Sequence, residues 1–173
     1  MVRNQFELAG HDTWSCDLIP SIRPGKHIQG DVLDHINDGW DMMIAFPPCT
    51  HLTRAGSRYW SDPEWRAGQI LDGTFALALY SAPIAKIAIE NPPGRLPEFI
   101  GPFSQTIQPW HFGDPYTKLT CLWLQDLPPL MDSYHHQGRT SWTEANNPRS
   151  KQRPLRRSIT FPGIAKAMAD QWG

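Results

Sequence analysis

Asp41-Met-Met-Ile-Ala-Phe-Pro-Pro-Cys-Thr50 is an apolar run that stops at Pro47-Pro48 and presents Cys49 at its carboxyl end. A short apolar run bounded by turn residues reads as a buried strand. Ligands of open α/β sheets sit outside the carboxyl ends of the strands, so a strand delivering a thiol there marks a candidate active-site edge. Ile87-Ala-Ile-Glu-Asn-Pro92 repeats the arrangement and delivers Glu90 and Asn91. The expectation is a pair of buried strands, one ending in a thiol and the other in a carboxylate.

Working outward, residues 13–17 and 27–31 read as further short strands, the first ending at Asp17 and the second at Gly30-Asp31. Val32 opens a helical turn closed by Gly39, and residues 2–9 read as a helix with Val2, Phe6 and Ala9 on one side. Downstream of Cys49 a polar loop covers 50–60. Ser61-Asp-Pro-Glu64 then supplies a capping residue, early acids and a first-turn proline, which together predict a helix start. Leu71, Phe75, Ala78 and Leu79 fall at helical spacing and predict its buried face. Strands are expected over 84–90, 105–108 and 119–124, and a last helix over 164–172 with Ile164, Ala165, Met168 and Trp172 inward. Residues 125–158 carry no periodicity and several prolines, which predicts a long irregular loop. Strands alternating with helices imply an α/β fold, a mostly parallel sheet with helices on both faces.

A length of 173 residues suits a single domain, 1–173. Net charge is -1, so contact with nucleic acid has to be local rather than spread over a basic body. Cys16, Cys49 and Cys121 are sparse and lack CxxC spacing, which points to a reducing cytoplasm and away from a disulfide framework or zinc site. No apolar run approaches the ~20 residues of a membrane span, so no membrane partner is expected. His135-His136 lacks partners at ligand spacing, and no metal is expected.

Phe46-Pro-Pro-Cys-Thr50 and Ile89-Glu-Asn-Pro92 resemble the catalytic Pro-Cys and Glu-Asn motifs of cytosine C5-methyltransferases, in that family's order. Over nearly its whole length the chain is similar to the short methyltransferase-like proteins of bacteriophages and prophages. The resemblance implies a Rossmann-like methyltransferase fold and S-adenosylmethionine as cofactor. It places Asp17 at the cofactor ribose, Asp31 and Val32 at the adenine, and Phe46 in the cofactor site. It makes Cys49 the nucleophile and Glu90 the partner of the cytosine N3. Pro48, Asn91 and Lys118 are the implied substrate-side residues. His111-Phe-Gly-Asp-Pro115 resembles the segment before the family's Gln-x-Arg-x-Arg, and Pro162-Gly-Ile-Ala165 its last motif.

Three departures shape the expectation. The family opens with a strand and a Phe-x-Gly cofactor loop, and this chain aligns only from the helix that follows, which implies a truncated sheet and allows pairing of two copies. Tyr116-Thr-Lys-Leu-Thr120 carries one basic residue, Lys118, where the family has two arginines. No separate target-recognition domain fits between Leu124 and Ser158. Two functions follow as expectations. One is methyl transfer to cytosine in DNA or a nucleotide, in a bacterial cytoplasm. The other is a non-catalytic phage protein of the same fold that binds or sequesters a signalling nucleotide or nucleic acid.

Plainer readings stand beside these. A cysteine after Pro-Pro is often a small buried residue. Glu90-Asn91 serves equally as a turn cap before Pro92, and Asp17 and Asp31 as loop acids. Cys16 and Cys121 read as core. Arg149, Lys151, Arg153, Arg156 and Arg157 form the one dense basic run, either a solvated surface or a phosphate-binding one, with Arg153, Arg156 and Arg157 the candidate contacts. Trp60, Trp110 and Trp142 read as packing residues or as stacking platforms for bases.

Overall fold

The computed structural model describes residues 1–134, 136, 140–142 and 160–173. In chain order they form α1 (Val2–Leu8), β1 (Ser15–Asp17), β2 (His27–Gln29), β3 (Met42–Ala45), α2 (Pro63–Tyr80), β4 (Lys86–Asn91), α3 (Pro97–Ile100), β5 (Gln105–Ile107), β6 (Tyr116–Thr117), β7 (Thr120–Gln125), β8 (Thr140–Ser141) and α4 (Pro162–Trp172). Each strand predicted from the sequence forms within two residues of its expected ends. The protein is mixed α/β, and its strands divide into a four-stranded sheet and two two-stranded ones.

Two compact units contain these elements: Met1–Asp31 with Gln108–Lys118 and Leu130–Gly173, and Val32–Ile107 with Leu119–Pro129. In the first, β1 pairs in parallel with β2 and β6 with β8. Its last helix buries Ile164, Ala165, Met168 and Trp172, as the spacing predicts, and adds Ala167 and Ala169. On α1 the buried residue is Phe6, while Ala9 is exposed beyond the helix end. Most of the expected loop over 125–158 lies outside the described residues, as does the whole basic run with Arg153, Arg156 and Arg157. Within the described part, Thr140 and Ser141 form a strand that the absence of periodicity had not signalled.

The second unit holds the sheet in the order β3-β4-β7-β5. β3 and β4 run in parallel, whereas β7 is antiparallel to both β4 and β5. Parallel neighbours need a crossover, usually a helix, and α2 provides one between β3 and β4. No helix lies between β5 and β7, so that pairing departs from the mostly parallel sheet expected. Ile87, Ala88 and Ile89 are fully buried, a continuous apolar run of the kind a strand covered on both faces requires. They share a core with Trp123 and Cys121 of β7, Ala76 and Leu79 of α2, and Leu52 and Leu96 from the loops.

Helix α2 starts where the sequence places it: Asp62 accepts the N–H of Trp65 at 3.0 Å and Pro63 fills the first position. Its buried face is a correction to the expected one. Leu71 is 69% exposed, and the inward residues are Gln69, Gly73, Ala76 and Leu79. The cause is steric. A side chain at Gly73 would collide with the ring of Phe99, and one at Gly68 with the ring of His51, so α2 turns its small residues toward those rings and its larger aliphatics outward.

Candidate active site

Register brings the two motif strands out of the sheet side by side. Ala45 is paired with Ile89, so the chain leaves β3 at Phe46 just where β4 presents Glu90 and Asn91. Asn91, 1% exposed, donates its Nδ2 hydrogen to the carbonyl of buried Pro47 at 3.1 Å. That bond ties the Pro47-Pro48 turn, and with it Cys49, to the end of the strand carrying Glu90. Beyond the turn the Cys49 carbonyl accepts from the N–H groups of Leu52 at 3.2 Å and Thr53 at 2.9 Å.

The loops that follow Cys49 and Glu90 are themselves joined. Thr53 bridges to Gly94, Arg54 N–H donates to the Pro93 carbonyl at 3.2 Å, and Arg95 N–H to the Leu52 carbonyl at 2.9 Å. A Cβ at position 94 would fall 2.0 Å from the Leu52 oxygen, so only glycine allows the approach. Cys49 and Glu90 are both half-buried. The site therefore stands on strand pairing, one buried side-chain amide and a stitched pair of loops.

The three thiols differ in environment. Cys121, opposite Asn91 on β7, is 1% exposed. Burial pushes its thiol up to about 11, and the Glu90 carboxylate adds to the rise while Arg54 opposes it. Cys121 thus stays a neutral core thiol, and the influence of Glu90 and Arg54 on it shows both charges acting at this end of the sheet. Cys16 directs its Sγ to the carbonyl of Gly30 at 3.6 Å within the first unit. Cys49 is the thiol set at the strand end.

The remaining expected residues are distributed as follows. Phe46 is 41% exposed and Pro48 exposed, both beside Cys49 in the chain. Val32 packs against the core of the second unit. Asp17, Asp31 and Lys118 belong to the first unit. The exposed Asp17 accepts the N–H of Ile19 at 3.2 Å, a local turn, and the Lys118 ammonium lies 5.8 Å from the centre of the Phe161 ring.

No protein-family model, curated protein or solved structure matches the chain. Among the described residues no group of three or more His, Cys, Asp or Glu side chains converges to hold a metal ion. No helix of the described residues is long and apolar enough to cross a membrane.

One neighbour of Cys49 escaped the sequence reading. His51 Nδ1 lies 2.9 Å from Asp72 Oδ2, and the His51 carbonyl accepts from Trp65 Nε1 at 3.1 Å and Gln69 Nε2 at 3.2 Å. Asp72 and Gln69 sit on a helix stretch between apolar residues, and polar groups there were the available signal. Their partner lies some twenty residues upstream, a pairing that spacing alone does not reveal.

Proposed function

We propose that the chain is a cytosine C5-methyltransferase-like protein, with Cys49 as nucleophile and Glu90 as the group that engages N3 of the base. The supporting observation is the Asn91 to Pro47 hydrogen bond across paired strands, which fixes the thiol-bearing turn to the carboxylate-bearing one. An aromatic C5 does not attack a methyl donor unaided. Addition of the Cys49 thiolate at C6 moves electron density to C5, and a hydrogen bond from Glu90 to N3 accommodates the charge that accumulates on the ring. Removal of the C5 proton after methylation lets the thiolate leave and restores the ring. A base held in a duplex has to leave the stack to reach such a site, whereas a single strand or a free nucleotide does not.

The donor set fits the implied cofactor in kind: Phe46 offers an exposed ring for an adenine, and Asp17 and Asp31 are exposed acids at or just beyond strand ends, suited to ribose hydroxyls. S-adenosylmethionine, when bound, supplies an electrophilic methyl group. A second reading, nucleotide binding without methyl transfer, draws support from Asp17, whose carboxylate is engaged in its own turn as an ordinary loop acid would be. Labelled methyl transfer to duplex DNA, single strand and free cytidine nucleotide separates the two. Transfer that Cys49→Ala abolishes while circular dichroism is unchanged supports the enzyme. Absence of both transfer and S-adenosylmethionine binding, with tight binding of a nucleotide, rejects it.

A further inference from the structure

His51, Tyr59, Asp62, Glu64 and Trp65 line a cavity of about 420 Å³ in the second unit, and the chemistry proposed above uses none of them. Its volume lies within the range of small-molecule sites. Its walls are held in place by several bonds. His51 is fixed by Asp72 and by two donors to its carbonyl, its ring meets the Trp65 ring edge-on at 4.8 Å, and Tyr59 lies 4.9 Å from Trp65.

The electrostatics of the lining favour one sign of ligand. Asp62 and Glu64 contribute carboxylates, and no Lys or Arg lines the cavity. Asp62 uses one oxygen to cap α2, while Glu64 makes no ion pair or side-chain hydrogen bond among the described residues. The start of α2 carries a positive end of about half a charge, which two full carboxylates outweigh. An anion is therefore disfavoured. A single metal ion does not suit the acids either, because they do not converge with His51 into a metal-binding group. Carboxylates spread along an aromatic wall match instead a cation whose charges are spaced along an apolar chain. The Arg58 guanidinium, 4.6 Å over the Tyr59 ring, is an instance of cation–π attraction within the same aromatic cluster.

We propose that this cleft binds an organic amine cation of the diamine or polyamine class, its ammonium groups on Asp62 and Glu64 and its methylenes against Trp65 and Tyr59. The same chemistry occurs in a lysine side chain of a protein, so the test compares both sources. Isothermal titration of the full chain with putrescine, spermidine and N-acetyl-lysine amide should give saturable binding of at least one, with a change in Trp fluorescence. Whichever of the free amine and the lysine derivative binds tighter names the source. The double variant D62N/E64Q keeps a capping side chain on α2 and should weaken binding about fivefold or more. No saturable binding by any of the three, unchanged affinity in the double variant, or equal displacement by Mg²⁺ at matched ionic strength would each overturn the proposal. None of these outcomes depends on methyl transfer.

Discussion

Asn91 looks in the sequence like a ligand-facing group beside Glu90, yet it is buried and its amide is committed to the backbone of the Cys49 turn. Replacing it by alanine leaves the carbonyl of buried Pro47 without its donor, at a cost of about 1–3 kcal/mol. Asn91→Ala should therefore lower the urea midpoint by that equivalent and raise the reactivity of Cys49 toward thiol reagents; an unchanged reaction rate would mean that the bond does not hold the turn. The thiol opposite it yields a pH prediction. Cys121 is raised from 9.0 to about 11 in the folded protein. Between those values the unfolded chain has released a proton that the folded one retains. Stability is then full below pH 9 and falls as pH rises toward 11, by roughly 2 kcal/mol at most. Denaturant titrations from pH 8 to 11 should show this loss, and Cys121→Ala, though less stable throughout, should show a shallower one. Cys49 and Glu90 were legible because strand ends in an apolar run advertise what they carry. The bond that positions them was not, since an amide's partner across 44 residues leaves no local trace.

At the scale of elements, α4 begins without a side-chain cap of its own: Phe161 occupies the capping position. Asp114 supplies the acceptor from elsewhere in the first unit, its Oδ2 taking the N–H of Gly163 at 2.9 Å. The approach is close, since a Cβ on Gly163 would lie 1.9 Å from the Phe112 oxygen. Burial holds the Asp114 carboxyl above its usual range, with the Gly163 N–H and the nearby His136 pulling the other way. A raised carboxyl retains its proton in the folded state at a pH where the unfolded chain has lost it, so ionisation of this group costs stability as pH rises past about 4. D114A should lose about 1 kcal/mol, the ordinary value of a helix cap. D114N keeps an acceptor without the charge and should stay close to the parent at pH 7 while losing this part of the pH dependence. Thermal melts of the three proteins at pH 4 and pH 7 check both statements. The inward face of α4 was read correctly because its apolar residues are large and regularly spaced. On α2 the same reading failed, because glycines that admit the rings of His51 and Phe99 carry no hydrophobic signal, while the outward Ile70, Leu71 and Leu77 carry a strong one.

The whole molecule has a net charge of -1, and five of its 16 Lys and Arg residues fall within 149–157. A chain so balanced draws nucleic acid weakly at long range, and whatever attraction it has is concentrated in that run. Counterion release then sets a limit that a salt titration reads directly. Single-stranded nucleic acid loses affinity with a slope of about 0.7 per phosphate neutralised, so five charges give a log–log salt slope no steeper than about 3.5. Replacing Arg153, Arg156 and Arg157 together by alanine should flatten the slope by about 2 and weaken binding at low salt. Fluorescence anisotropy with a short labelled cytosine-containing strand, measured between low and physiological salt, checks the number. A parent slope well above 3.5 would require phosphate contacts beyond the run. A slope unchanged by the triple replacement would return those arginines to solvent and leave Lys118 and Arg54 as the cations to test next. The order of strands and helices was readable because apolar patterning survives in short segments. Division of the chain into two compact units was not, since no linker, composition change or charge boundary marks the passages between them. Salt dependence is therefore the property of the whole molecule that sequence predicts most sharply, because charge is counted along the chain regardless of how the units form.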